Sequence, residues 1–582
     1  EVITNRIAGT SFPLRIEAVE SNNGVCEGLF TDNKNIKISQ ENISPSGTDG
    51  LNFSINGNDI AKHTSFTSTT LDFETDSIAT FPTPIYHDAG QIRLHASYDI
   101  GGVSLTGNSN SFWVSPAELV VSAKSGIVDL DGTTATANTT FVAGDDFDLT
   151  VTAFNSLGVV TPNYSPGQIQ LKLERTGPTI NGADGELTYG SGGFITSTLA
   201  AATPTFDNVT LDTTIIAGVL GSSDAYYSEV GLLNLDVQDN NYGNVNIIVS
   251  ATDINIGRFI PDHFRQTMLD DGAFKVGLIA GTTFAYSGQK DESTGLIGAI
   301  SYLTPPVLEI TAYNSQNEIT QNYIDDFAKL REAKTSSNLL DGVFFDTIST
   351  THVNTLEVTG DISTLGDYGD GSAYGKITYT LASDHHFTYT RNSLSIVSPF
   401  DAALELPIAS IQDSDNVQLK PEDTNIYFSN PTFSSDLLNT VEIRFGRLVL
   451  ENSFGSETSD LAQSMQLEHF NGTDFIITSD NDYVSFNATK IALENISLDP
   501  SLTNVIGGTG NFFSGKTRDI ELEAPGTIGK IGVTYDIYDW LEYDWPTSGT
   551  GDQTFDDDPT AEATFGVFRG NDRIISWREV GN

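Results

Sequence analysis

Paired aspartates on turns rich in Gly and Asn are the residues of this chain best suited to chemistry. Ca²⁺ takes about six to eight oxygen ligands, which the carboxylates and carbonyls of such turns can supply. The candidate ligands are Asp413 and Asp415, the preferred pair, together with Asp129, Asp131, Asp367 and Asp370. None of these turns has the complete EF-hand pattern with its distal Glu. The alternative for each is a solvated turn without a metal, and the sequence leaves both open.

A second candidate is the aromatic segment Trp540, Tyr543 and Trp545, which is interleaved with three acidic residues. Exposed aromatic faces beside carboxylates are typical of surfaces on which sugars stack. The alternative is that Trp540 and Trp545 pack in a core beneath the end of the chain. The sequence predicts a ligand-binding segment or a core segment, without deciding between them.

The end of the chain concentrates scarce positive charge in Arg569, Arg573 and Arg578, with Trp577 among them. Two apolar runs flank the turn-forming residues 569–572, which predicts a closing β-hairpin. Its arginines either pair with nearby carboxylates or form a docking or sorting element.

Motifs for catalysis are missing from the sequence. It contains no Gly-x-Ser-x-Gly elbow, no His-Glu-x-x-His and no Walker loop. With 77 acidic residues, a carboxylate pair for glycoside hydrolysis can be imagined anywhere, so none is singled out. Eight scattered His and one Cys do not predict a zinc site. We therefore expect a protein that is not an enzyme, and a polysaccharide-active enzyme is an alternative.

The composition predicts an acidic, secreted protein. The formal net charge is −49, which excludes nucleic acid as a natural partner and suits a saline setting, where salt screens repulsion. No apolar run is long enough to predict a membrane span. Glu1 is preceded by no signal peptide, so we expect a processed or partial product. Cys26 is alone, and we expect a small buried residue, with an intermolecular disulfide as the alternative.

Alternation of apolar and polar residues predicts an all-β fold of tandem immunoglobulin-like β-sandwich domains that form an elongated rod. The segment Leu308–Asn314 resembles Leu149–Asn155, and Ala143–Phe154 resembles Ala8–Ala18, which indicates a repeated domain. The predicted domains are residues 1–116, 117–257, 258–399 and 400–582. Apolar residues at 323, 324, 327, 328 and 330 predict one short helix near 323–333.

Several longer segments resemble one protein family. They are Gly257–Phe264, Gly446–Glu457, Trp540–Trp545 and the C-terminal stretch from Asp557 to Val580. These segments are similar to the C-terminal region of the MSHA pilus biogenesis protein Q family, where MSHA is the mannose-sensitive haemagglutinin, a bacterial type IV pilus. The resemblance implies a bacterial cell-surface protein tied to that pilus system and an adhesive role at the pilus tip, and it brings no catalytic residues.

An alternative is a subunit that assembles with itself into a filament or surface layer. Long β-rods with exposed edge strands can add strands between chains. The segment Glu1–Thr4 is the candidate strand that a neighbouring copy would accept.

The calcium hypothesis predicts a measurable gain in stability. If one of the aspartate turns binds Ca²⁺ in the folded state only, EGTA will lower the melting temperature and added Ca²⁺ will restore it. Differential scanning calorimetry checks this, and a melting temperature that EGTA leaves unchanged contradicts calcium binding.

Overall fold

The computed structural model describes residues 2–180, 182–190, 193–209, 217–270, 272–277, 282–290, 298–332, 342–346, 354–359, 375–380, 386–407, 412–420, 425–427, 441–481, 483–545 and 553–566. Throughout these residues the regular elements are β-strands, with a few 3₁₀ turns, so the all-β prediction is confirmed. The strands form four successive units, named unit 1 (Arg6 to Ser115), unit 2 (Glu118 to Ile260), unit 3 (His263 to Arg444) and unit 4 (Gly446 to Phe565).

Unit 1 has one large sheet and three small ones. The large sheet orders Arg6–Ile7, Phe112–Ser115, Gly90–Ile100, Asn33–Ser44 and Ser46–Gly47, with Val103–Asn108 and Thr67–Asp72 alongside. The small sheets are Ile78–Thr80 with Arg15–Glu17, then Ile85–Tyr86 with Phe53–Ile55 and Asn58–Asp59, and the hairpin Val19–Asn22 with Val25–Gly28.

Unit 2 has two sheets. The first orders Val128–Asp129, Glu118–Ser125, Phe147–Phe154, Val219–Tyr227, Glu186–Tyr189 and Gly193–Thr196. The second orders Phe141–Val142, Ile254–Ile260, Gly231–Tyr242, Ile169–Gly177 and Thr198–Leu199, with Asp207–Asn208 and Ile247–Ser250 alongside. A 3₁₀ turn spans Ala200–Ala202.

Unit 3 also has two sheets. The smaller orders Lys376–Thr380, Val307–Tyr313, His263–Asp270 and Gln418–Leu419. The larger orders Ala273–Val276, Ile300–Thr304, His386–Tyr389, Asn354–Thr359, Gly342–Asp346, Phe400–Pro407, Val441–Arg444 and Phe284–Tyr286, with Asn425–Tyr427 alongside. Its 3₁₀ turns are Asp325–Phe327 and Lys329–Glu332.

Unit 4 has two sheets and a short strand pair. One sheet orders Gly446–Leu450, Leu461–Phe470, Lys516–Leu522 and Val505–Ile506, with Phe475–Ile477 alongside, and the other orders Ser453–Gly455, Thr560–Phe565, Gly529–Tyr535 and Ile491–Asn495. The pair is Ser485–Asn487 with Thr509–Asn511, and the 3₁₀ turns are Ala488–Lys490, Pro500–Leu502 and Asp539–Leu541.

Each unit has its own hydrophobic core, and three of the cores include residues of the preceding unit. Ala89 of unit 1 belongs to the core of unit 2, Val230 and Leu232 of unit 2 to that of unit 3, and Tyr286 of unit 3 to that of unit 4. The four cores follow one another along the chain.

The third domain boundary lies further along the chain than the sequence predicted. Phe400–Pro407 pairs with Gly342–Asp346, and Val441–Arg444 pairs with Phe284–Tyr286, so the sheets of unit 3 continue past residue 399 to Arg444. Pro399 directly precedes the strand Phe400–Pro407, and a proline, which cannot donate to a β-ladder, is tolerated at a strand end within one sheet as well as between domains.

The short helix predicted near 323–333 takes the form of two 3₁₀ turns, and residue 333 lies outside the described residues. The apolar spacing correctly predicted which side chains of this segment are buried. They are Tyr323, Ile324, Phe327, Ala328 and Leu330. Asp325 has a φ of 47°, which interrupts a right-handed helix. Burial against the core therefore decides the conformation of this segment, because a helix this short gains little by itself.

Candidate functional site

Trp540 is a core residue at the joint between units 3 and 4, not a platform for a sugar. Its side chain is buried, with 2% of its surface exposed. The ring stacks on Tyr538, with centroids 5.2 Å apart, and on Tyr286, with centroids 5.3 Å apart. Because two tyrosines stack on the Trp540 ring, that ring is not available to a ligand. The structure therefore corrects the assignment of Trp540 as a ligand-binding residue.

Tyr543 and Trp545 lie half-buried around the guanidinium of Arg447. The guanidinium carbon lies 3.7 Å from the ring centroid of Phe475, 4.7 Å from that of Tyr543 and 5.2 Å from that of Trp545. Arg447 also donates two hydrogen bonds to Glu468, of 2.9 and 2.7 Å. A cation held between aromatic faces and a carboxylate fixes the positions of these rings.

Two polar atoms of this segment lack hydrogen-bond partners among the described residues. They are Nε1 of Trp545 and one carboxylate oxygen of Asp544, and both atoms are buried. Nearby, burial and the charges of Asp539, Asp558 and Asp556 raise the pKa of Glu542 to about 7. Tyr543 and Trp545 therefore remain the candidate ligand-binding residues of the segment.

The preferred calcium pair has other partners. Asp413 is buried and accepts hydrogen bonds from the hydroxyl of Tyr323 (2.8 Å) and from the N–H groups of Asp415 and Val417 (2.9 Å each). Asp415 forms a two-pronged ion pair with the buried Arg258 of unit 2, at 2.5 and 2.6 Å. In unit 2 the corresponding Asp239 accepts from Tyr164 (3.1 Å), so the Tyr–Asp contact recurs as a structural device.

Among the described residues, the other calcium candidates do not come together either. Asp129 pairs with Lys124 at 2.8 Å, the exposed Asp131 forms a backbone bridge to Gly257, and Asp367 and Asp370 lie outside the described residues. Across the described ranges no three His, Cys, Asp or Glu residues are placed to hold a metal ion. Calcium binding stays a prediction without a described site.

Two further candidates can be placed only in part. The docking residues Arg569, Arg573, Trp577 and Arg578 lie outside the described residues. Cys26 is exposed on the strand Val25–Gly28, which corrects the expectation of a buried residue. The cause is that this hairpin extends from the sandwich, with all eight strand residues exposed.

The joint between units 1 and 2 is a set of hydrogen bonds that the sequence did not reveal. The N–H of Ser156 donates to Ala8 O at 2.9 Å, and the side-chain amide of Asn155 donates to His87 O at 2.8 Å. Gly9 has a φ of +79°, and a Cβ there would lie 2.8 Å from Oγ of Ser156. The close approach of the two units therefore requires glycine.

The joint between units 2 and 3 repeats this arrangement. The N–H of Ser315 donates to Ala143 O at 3.0 Å, and the amide of Asn314 donates to Ser228 O at 3.0 Å. Gly144 has a φ of +86°, and a Cβ there would again lie 2.8 Å from a serine Oγ, that of Ser315. We name these two arrangements the Asn-Ser joints.

A buried carboxylate completes each Asn-Ser joint. Asp88 accepts the N–H of Asn163 at 3.0 Å, and Glu229 accepts the N–H groups of Gln321 and Asn322 at 3.0 Å each. Burial raises the pKa of Asp88 and raises that of Glu229 to about 7. The desolvation of these carboxylates is thus offset only in part by the main-chain donors of the next unit.

The joint between units 3 and 4 uses an arginine where the other two use an acid. The N–H of Gly288, whose φ is +78°, donates to Tyr389 O, as Gly9 and Gly144 donate to Tyr86 O and Tyr227 O. Two residues beyond Tyr389, in the place of Asp88 and Glu229, Arg391 donates to the carbonyls of Trp540 (2.9 Å), Gly446 (3.1 Å) and Glu542 (2.7 Å). The guanidinium also lies 3.8 Å from the ring centroid of Phe445.

These joint residues have a sequence signal that can be recognised once the contacts are known. Ala-Phe-Asn-Ser at 153–156 recurs as Ala-Tyr-Asn-Ser at 312–315, and Val-Ala-Gly at 142–144 matches Ile-Ala-Gly at 7–9. The repeat was visible in the sequence, but its role in joining units was not, because the interacting residues, Ala8 with Ser156 and Ala143 with Ser315, lie far apart in the sequence and in different units.

Comparison with protein-family models matches this chain to one family. Four domain models of DUF6701, a domain of unknown function, match in order: the first, Ig-like domain at residues 2–108, the second at 115–206, the third at 229–430 and the fourth at 444–580. No curated protein matches the chain in sequence.

Solved structures with similar architecture include bacterial adhesins. Invasin, a bacterial integrin-binding protein, is 9% identical with a TM-score of 0.27, over 97% of this chain and 78% of its own. A tetra-tandem repeat from the extending region of a large adhesion protein is 11% identical with a TM-score of 0.25, over 96% of this chain and 95% of its own. The Escherichia coli adhesin FdeC is 11% identical with a TM-score of 0.21, over 66% of this chain and 95% of its own.

Substitution of Trp540 will separate a core role from a surface role. Trp540→Ala should lower the free energy of unfolding by about 3–5 kcal/mol, because it leaves a cavity between two stacked tyrosines. Trp545→Ala, in the half-buried cluster around Arg447, should cost clearly less. Chemical denaturation monitored by circular dichroism checks this, and equal losses for the two variants would contradict the placement.

The buried carboxylate of Glu229 will make the joint sensitive to pH. Its folded-state pKa of about 7 lies above the ordinary value of 4.5, so the folded state binds the proton more tightly than the unfolded state does. Its contribution to stability is therefore full below pH 4.5 and is lost as the pH rises through 7, by about 3 kcal/mol in total.

The measurement is the difference between the native protein and Glu229→Gln in denaturant titrations at pH 5 and pH 8. The native protein should lose more stability over this interval than the variant, since the amide cannot ionise. Parallel pH dependence in the two proteins would show that Glu229 does not titrate in this range.

Proposed function

The chain belongs to the DUF6701 family, and from this premise we propose that it is an extracellular, non-catalytic surface protein that serves as a stiff spacer and carries an adhesive region near its C-terminus. The observation that carries the proposal is the recurrent joint between units. A flexible linker would leave each unit free to turn, whereas these units share main-chain hydrogen bonds and core residues. A spacer that holds a binding region away from a cell surface needs this stiffness.

The charges and the aromatic segment support the same proposal. A formal charge of −49 on 582 residues favours the solubility of such a protein. Across the described ranges no helix is long and apolar enough to cross a membrane. The half-buried Tyr543 and Trp545 beside Asp544 are the candidate contact for a glycan or another surface ligand.

The finer part of the proposal is association with an MSHA-type type IV pilus, at the pilus tip. It is supported by the resemblance of the segments Gly257–Phe264, Gly446–Glu457, Trp540–Trp545 and the C-terminal stretch to the biogenesis protein Q family. Pili sheared from the native bacterium should carry the protein at one end, as detected by immunogold electron microscopy. Labelling along the whole filament, or none on pili, would contradict a tip component.

Stiffness is the property to test directly. Small-angle X-ray scattering of the native protein should give a long maximum dimension with a narrow range of shapes. The double variant Asn155→Ala/Asn314→Ala removes both cross-joint amide donors, which are fully buried, at about 1 kcal/mol or more each, and should broaden the distribution. Leu157→Ser, in the same loop but 59% exposed, is the matched control. If the double variant scatters like the control, the joints do not stiffen the chain.

Two alternatives make different predictions. A polysaccharide-active enzyme would release reducing sugar from a panel of glycans, and the proposal expects none. A self-assembling filament was predicted to donate Glu1–Thr4, but the described part of that segment is bound to its own unit, with Ile3 exchanging two hydrogen bonds of 2.8 Å with the side chain of Asn110. Electron micrographs of the purified protein should therefore show single rods.

A further inference from the structure

A row of positively charged side chains crosses the outer face of the smaller sheet of unit 3. Strand pairing places Arg265 opposite Thr311, and Thr311 opposite Lys376. Lys420 directly follows the strand Gln418–Leu419, which pairs in parallel with the strand of Arg265, so the register continues to Lys420 beside Arg265. Opposing residues of paired strands turn their side chains to one face of the sheet. Lys376, Arg265 and Lys420 therefore share a face.

Arg265 and Lys420 are held close together without a carboxylate between them. The guanidinium of Arg265 donates to Oδ1 of Asn317 at 3.4 Å, and the ammonium of Lys420 donates to the same oxygen at 2.9 Å. The two nitrogens are therefore at most 6.3 Å apart (3.4 plus 2.9). Lys376 is paired with Glu309 at 2.7 Å, whereas no acidic residue in the described ranges pairs with Arg265 or Lys420. Like charges this close repel each other.

His263 adds an unpaired acceptor to the same face. It precedes Arg265 by two positions on one strand and is buried, with 5% of its surface exposed. Its Nδ1 lies 2.7 Å from a carboxylate oxygen of Asp262, and its buried Nε2 has no hydrogen-bond partner among the described residues. Burial lowers the pKa of His263 against the opposing hydrogen bond to Asp262, and the charges of Lys420 and Arg265 lower it as well. A neutral ring that donates Nδ1–H to Asp262 presents Nε2 as an acceptor.

An aromatic ring holds two of these side chains in place. Tyr313 lies opposite His263 on the neighbouring strand. The two rings stack with centroids 5.4 Å apart and an interplanar angle of 6°, and the guanidinium carbon of Arg265 lies 5.5 Å from the centroid of Tyr313. Nε of Arg265 is also buried and without a partner in the described part of the chain. The cluster thus offers an unpaired donor, an unpaired acceptor and two cations that lack an anion.

We propose that His263, Arg265, Asn317 and Lys420 form a binding site for a sugar acid of an acidic polysaccharide. The carboxylate of the sugar would accept charge-assisted hydrogen bonds from Arg265 and Lys420, which replaces their mutual repulsion by attraction. A hydroxyl of the same sugar would donate to Nε2 of His263. A neutral sugar leaves both cations unpaired, and an inorganic anion such as sulfate has no hydrogen to donate to Nε2.

The site goes beyond the function proposed above. It belongs to unit 3 and shares no residue with the candidate contact at Tyr543 and Trp545 in unit 4. The net charge of −49 does not prevent binding of an anion here, because salt at about 0.15 M screens distant charges over about 8 Å, while groups in direct contact are screened much less.

The probe is an oligogalacturonate of four sugars, titrated into the full chain by isothermal titration calorimetry. Saturable binding at one site per chain is expected. The fully methyl-esterified oligomer keeps the rings and hydroxyls but has no charge, so it is the matched ligand control. It should bind at least about tenfold more weakly, as expected for the loss of charge-assisted hydrogen bonds.

Substitutions locate the site. Arg265→Gln and Lys420→Gln each remove one cation and should each weaken binding at least about tenfold. Lys275→Gln removes the same charge from the strand Ala273–Val276 in the other sheet of unit 3, and it should change binding little. Circular dichroism confirms that the variants are folded, and the methyl-ester comparison with the unmodified protein stays decisive if one of them is not.

The role of His263 has its own test. The native protein should bind galacturonate more tightly than cyclohexanecarboxylate, which has the carboxylate but no hydroxyl. His263→Phe keeps a ring that can stack on Tyr313 but lacks Nε2, so the two ligands should bind to it alike. An unchanged preference in this variant would show that Nε2 does not accept the sugar hydroxyl.

Other outcomes overturn the proposal as a whole. They are absence of binding at millimolar oligogalacturonate, equal binding of the methyl ester, and equal losses for Lys275→Gln and Arg265→Gln. If galacturonate alone binds as tightly as the four-sugar oligomer, the ligand is a free hydroxy acid. If an oligoglutamate peptide binds more tightly than the oligomer, the ligand is an acidic polypeptide. Either result makes the assignment to a polysaccharide wrong.

Discussion

The structure depends on how the ends of consecutive β-sandwiches satisfy each other's main-chain polar groups. A sheet end carries N–H and C=O groups without ladder partners, and burying them unpaired is costly. At the two Asn-Ser joints, an asparagine amide, a serine N–H and a buried carboxylate supply the partners across the boundary. These hydrogen bonds across the boundaries are the basis of the proposed stiffness of the chain.

Scarce positive charge is used at these boundaries. With 28 Lys and Arg against 77 Asp and Glu, most carboxylates have no cation, and two of the arginines bind across unit boundaries. Arg258 holds Asp415 across the second joint, and Arg391 replaces the carboxylate at the third joint and donates to three carbonyls of unit 4 or its border. At the third joint the charged side chain donates hydrogen bonds to carbonyls instead of accepting them from N–H groups. The main-chain groups that it contacts at the boundary therefore still have partners.

Aromatic residues of unit 4 lie both at the joint with unit 3 and around Arg447. Trp540 fills the joint between two tyrosines, and Arg447 organises Tyr543 and Trp545 around its guanidinium. One stretch of six residues therefore contains a structural residue and two candidate contact residues. In unit 1, by contrast, the hairpin of Val19–Asn22 and Val25–Gly28 has all eight strand residues exposed.

Much of the architecture is determined by the sequence alone. The two-residue alternation fixes strands, because only that period puts every second side chain in a core, as Leu461–Phe470 shows with its alternating burial. The acidic composition and the repeat of Asn-Ser segments are likewise sequence properties. The tertiary structure decided what local patterns cannot encode. It pairs Asp413 with a tyrosine, and it gives residues 323–332 two 3₁₀ turns packed against a core instead of a helix. It also extends unit 3 to Arg444, and it buries Trp540 while leaving Trp545 half-exposed. Each of these depends on partners more than 80 residues away or on a neighbouring unit, and no window of adjacent residues contains that information.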